Sequence, residues 1–115
     1  MASGLAVLMF QFAETISIQI GWDDYKRQVF ERVLAALPNE LSDMNSNFKE
    51  WKTNEVVNSK NDFLLGIMIG LIYCNFNHIC LLEGNPLKGD QIPRFLTCLY
   101  SNSGKLIEIL RELGY

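Results

Sequence analysis

The sequence predicts an all-α, antiparallel bundle of four long helices, with one short helix inserted between the second and third. Three observations carry this fold class. Apolar residues recur at three- and four-residue spacing through almost every segment. Capping and helix-breaking residues stand where those segments meet. No two runs of alternating β character exist to pair with one another. At 115 residues the chain builds one core, because two would leave each half with too little apolar surface to bury. Residues 1–115 therefore read as a single helical domain.

The first helix is expected from Leu5 to Ile20, ended by Gly21. Leu5, Leu8, Met9, Phe12, Ile16 and Ile20 share a helical face, while Gln11 and Glu14 turn away. Ile16, Ile18 and Ile20 also alternate with Ser17 and Gln19 as a half-buried strand would, but a strand here lacks a partner. Val7 and Phe10 lie off the main stripe, so a second surface is expected to meet this helix. The segment resembles a secretory signal in its apolar run but lacks the positive residues that precede one.

The second helix opens at Asp23 or Asp24, either of which can accept orphan N–H groups at the positive end of the helix dipole. Trp22, Tyr25, Val29, Val33 and Leu37 follow at helical spacing, widened by Phe30 and Leu34, and Pro38 is expected to end the run. Asp23 stands four residues before Arg27, which favours a surface ion pair. Residues 39–61 are rich in Asn and Ser, which compete for backbone hydrogen bonds and favour turns. Within them Asn47 and Glu50 resemble a capping box, predicting a short helix from Phe48 to Val57. Phe48 and Trp51 on that helix either present a recognition surface or pack onto the bundle.

Asn61 or Asp62 caps the next long helix, Phe63–Leu82, which is apolar almost all round and so is expected at the bundle centre. Gly66 and Gly70 lie one turn apart, a cost in helix propensity that a closely crossing neighbour would offset. Cys74 and His78 are four residues apart on one face, a spacing that lets a thiolate and an imidazole share a metal ion or act as nucleophile and base. Neither CxxC nor HxxxH occurs, and Cys80 and Cys98 fall elsewhere. Cys74 and His78 are thus weak metal candidates, and no cofactor is expected. Membrane insertion of this segment is disfavoured by Asn75, Asn77 and His78.

Gly84, Asn85, Pro86 and Gly89 make a turn, after which Asp90 is expected to cap the final helix with Pro93 in its first turn. Ile92, Leu96, Leu99, Ser103, Leu106, Leu110 and Leu113 follow a heptad seam interrupted only by Ser103. The run is expected to be a single helix, the alternative being a division in two at residues 101–104.

The 10 basic and 13 acidic residues give a net charge of −3, and no basic run exists, so nucleic acid is not an expected partner. Three cysteines do not make a disulfide framework, which points to a reducing, cytoplasmic compartment. The expected function is non-enzymatic: a small helical adaptor, inhibitor or immunity-type factor that meets a protein partner. The alternatives are a metal- or thiol-dependent protein using Cys74 and His78, and a membrane-associated helical protein. With 49% hydrophobic residues in so small a domain, a homodimer is expected, its interface carried by Val7 and Phe10 or by Leu99, Leu106 and Leu110.

Overall fold

The computed structural model describes the backbone of residues 2–52 and 60–115, and side chains from residues 4–44 and 62–115. Among the described residues there are five helices and no strand: α1 (Ala2–Ile20), α2 (Asp24–Lys52), α3 (Lys60–Leu82), α4 (Gln91–Ser101) and α5 (Ser103–Glu112). The protein is an all-α bundle. α1 packs against α2, α4 and α5, and α3 closes the other side against the same three helices.

Local sequence fixes the junctions. Gly21 adopts the left-handed conformation (φ 81°), so the N–H groups of Gly21 and Trp22 both turn back onto the Ser17 carbonyl, at 2.8 and 2.9 Å. That arrangement consumes carbonyl capacity that a helix end leaves open. Gly84 (φ 76°) ends α3 in the same way, with the Asn85 N–H donating to the Cys80 carbonyl and the Gly84 N–H to that of Leu81. Asp23 caps α2: its Oδ1 accepts the Lys26 N–H at 2.9 Å. Arg27 does not pair with Asp23 as its spacing suggested; its Nε lies 3.6 Å from Glu31.

Pro38 does not end α2, which continues to Lys52. A proline inside a helix removes one backbone bond and crowds the preceding turn. Here tertiary attachment on both sides of the ring offsets that cost. Leu37 and Leu41 are buried, and Glu40 Oε2 accepts a 2.7 Å hydrogen bond from Asn75 of α3. The separate short helix expected to begin at Phe48 is therefore not separate at its start, because residues 48–52 belong to α2. Its remainder, residues 53–57, lies outside the described residues.

The final run is not the single helix its seam suggested: it divides at Asn102, whose backbone departs from helical values (φ −107°, ψ 23°). Its side chain bridges instead, donating to the Cys98 carbonyl and to Gln19 Oε1 of α1. Asp90 occupies the position before α4 but makes no side-chain capping bond. Gln91 does related work by accepting the Lys88 N–H at 3.1 Å.

The core is aromatic at its centre. Trp22 stacks on Phe76 and meets Phe30 and Phe95 edge-on, and those three phenyl rings contact one another. Phe12 extends the cluster into α1. Around it Ile16, Val33, Leu34, Met68, Ile72, Leu99, Leu106 and Ile109 are almost wholly removed from solvent. Burial of this apolar area is the main favourable term in the fold.

Candidate interaction surface

The α1 helix exposes Val7 (53%) and Phe10 (54%). They lie off the stripe of Phe12, Ala13, Ile16 and Ile20 that enters the core, as their register requires. Beside Phe10 runs a shallow groove of about 250 Å³ between α1 and α2, lined by Ala6, Met9, Phe10, Glu31, Leu34 and Ala35. Ala6 and Ala35 are too small to bridge the two helices, which leaves the groove open, and all its lining residues except Glu31 are apolar. Glu31, held by Arg27, sets a charge at its edge.

The leucine half of the expected interface is elsewhere. Leu99 and Leu106 are 0% exposed and Leu110 is 2% exposed, all within the chain's own core. The heptad seam is satisfied internally, by packing of α4 and α5 against α1 and α3. These three leucines are therefore not available to a second chain. The side chains of Phe48 and Trp51 lie outside the described residues.

The α3 helix is not encased, contrary to what its all-round apolarity suggested. Leu64, Met68, Ile69, Ile72, Phe76 and Cys80 face inward, whereas Gly66, Gly70, Cys74 and His78 form an exposed stripe at four-residue spacing. A Cβ added at Gly66 or Gly70 would meet nothing within 4 Å, so among the described residues no helix crosses there. Cys74 and His78 do share that outer face. Among the described residues, no three His, Cys, Asp or Glu side chains come together as a metal-holding group. The three thiols are free, with Cys74 exposed, Cys98 half-buried and Cys80 buried.

One polar cluster escaped sequence reasoning. Glu83, just past α3, accepts the hydroxyl proton of Tyr25 and lies 3.5 Å from Arg32 Nη2, both on α2. The Glu83 carboxylate, as hydrogen-bond acceptor and negative charge, together with partial burial, pushes the Tyr25 phenol up to about 12. Burial pushes the Cys80 thiol up as well. Tyr25 and Arg32 also line an open groove of about 450 Å³ with Gln28, Glu31 and Ala35. The cluster joins two helices, and its groups are turned toward one another rather than toward a common reacting position.

No family model, curated protein or solved structure matches this chain.

Proposed function

We propose that the protein is a non-enzymatic helical interaction module that works as a homodimer, with the Val7 and Phe10 face of α1 as its contact surface. The carrying observation is Phe10, a large apolar side chain more than half exposed beside an apolar groove. Aromatic side chains of this kind anchor protein interfaces when a partner supplies the missing cover. A two-fold pairing presents the same ridge and the same groove from both chains, so each Phe10 can fill the groove of the other. The three free thiols suit a reducing, cytoplasmic setting. Amide hydrogen exchange at two protein concentrations tests the surface. Protection over residues 6–12 rising with concentration supports it, and concentration-independent exchange there counts against it.

A second reading has one observation in its favour. Residues Asp62–Leu82 are long and apolar enough to cross a membrane, and only a third of the most apolar stretch is buried inside the protein. In this reading the outer face of α3 meets lipid. Co-sedimentation with phospholipid vesicles, followed by high-salt and alkaline washes, distinguishes it: retention on the vesicles favours the membrane, and recovery in the supernatant favours the protein interface. The thiol and metal reading draws no comparable support, since Cys74 and His78 face outward without a described third ligand.

A further inference from the structure

We propose that residues 79–85, the end of α3 and its turn, form a unit that opens locally, latched by Glu83, and that the Cys80 thiol becomes accessible only when the latch releases. Within this stretch Cys80 is 0% exposed, whereas Leu81 and Leu82 are 61% and 72% exposed. Beyond Cys80 and the half-buried Ile79, little apolar burial holds the turn. Its described polar attachments to α2 are the Tyr25 hydroxyl and the Arg32 guanidinium, and both converge on Glu83. The flanking anchors are Phe76, in the aromatic cluster, and Leu87, which is buried. Between them Cys80 is packed and Glu83 is tied.

Segments with few buried contacts and solvent-exposed bonds open at a lower free energy than the whole fold. An exposed ion pair holds weakly, so the latch is releasable. The charged groups around Cys80 are Lys26 and Arg32 of α2, Asp23 just before it, and Glu83 itself. Closure removes the thiol from water and raises its pKa; opening restores both access and ordinary acidity, which together govern thiol reactivity.

Helix electrostatics alone predict the opposite effect of removing Glu83. A carboxylate at a helix C-terminus opposes the dipole, so its loss by itself would tighten the end of α3. The test is alkylation of the intact chain by iodoacetamide, resolved by peptide mass spectrometry, with exposed Cys74 as the internal fast reference. Glu83→Ala is expected to speed Cys80 labelling about tenfold with the global urea midpoint little changed, and Tyr25→Phe to speed it less. In the wild-type chain the Cys80 rate should be nearly independent of urea well below the unfolding transition, as for a local opening. A wild-type rate that follows global unfolding at every urea concentration overturns the proposal, as does a Glu83→Ala rate equal to or slower than wild type. The wild-type urea series decides alone if the variants do not fold.

Discussion

The indole of Trp22 lies stacked on the ring of Phe76, with centroids 4.6 Å apart and planes 18° from parallel. Trp22 comes from the three-residue connection between α1 and α2, and Phe76 from the second half of α3. The contact thus ties the first helical junction to the helix on the far side of the bundle. Phe76 is 0% exposed and also meets Phe30 and Phe95. Phe76→Ala is expected to destabilise the fold by about 3–5 kcal/mol, the range for emptying a packed aromatic site. Urea denaturation monitored by circular dichroism checks this; a loss below about 1 kcal/mol would mean that the cluster does not hold the helices together.

Ser17 is 6% exposed, and its hydroxyl has no hydrogen-bond partner. A buried donor without a partner loses its water without replacement, and Ala is the better helix former at an interior position. Ser17→Ala is therefore expected to stabilise the protein by about 0.5–1 kcal/mol. A thermal midpoint that falls in this variant would show that the hydroxyl contributes a favourable contact.

The Tyr25 phenol makes stability sensitive to strong alkali. Its folded pKa is about 12 against 10.0 for an ordinary tyrosine, so the fold favours the protonated form. The contribution is complete below pH 10 and is lost as pH rises from 10 to 12. In an ultraviolet titration, one of the four tyrosines should ionise late, and Tyr25→Phe should abolish that late step. A late step that survives the substitution would assign it to another residue.

What was legible in the sequence follows from the range of the interactions involved. The stripes of α1 and the first half of α2 depend on spacing within one helix, and Phe12, Ile16, Ile20, Val29, Val33 and Leu37 are buried as that spacing requires. Pro38 misled because its local cost is offset by a contact 35 residues away, between Glu40 and Asn75. The exposed side of α3 was hidden because a helix that is apolar on every side does not reveal which face turns inward. For the same reason the Gly66 and Gly70 pair suggested a crossing helix that is absent among the described residues. In α4 and α5 the heptad seam is apolar on either side of Ser103, and the break falls beside it at Asn102, in hydrogen bonds to Cys98 and Gln19. Glu83 looked like an ordinary turn residue, since its partners Arg32 and Tyr25 lie 51 and 58 residues away.

The same distinction divides the candidate surface. That Val7 and Phe10 lie off the core stripe is a matter of register, and both are exposed. That Leu99, Leu106 and Leu110 are consumed internally depends on where α4 and α5 dock, which no local pattern encodes.

Static light scattering coupled to size separation tests the proposed homodimer most directly, comparing the wild-type chain with Phe10→Asp across micromolar concentrations. Phe10 is half exposed, so the substitution should leave the helical circular dichroism spectrum and thermal midpoint nearly unchanged. A buried, unpaired carboxylate at a dimer contact should disfavour association. The account predicts a wild-type mass of twice 13.2 kDa and a Phe10→Asp mass of one chain. A wild-type chain that runs as a monomer throughout, or a Phe10→Asp dimer as tight as the wild type, would contradict it.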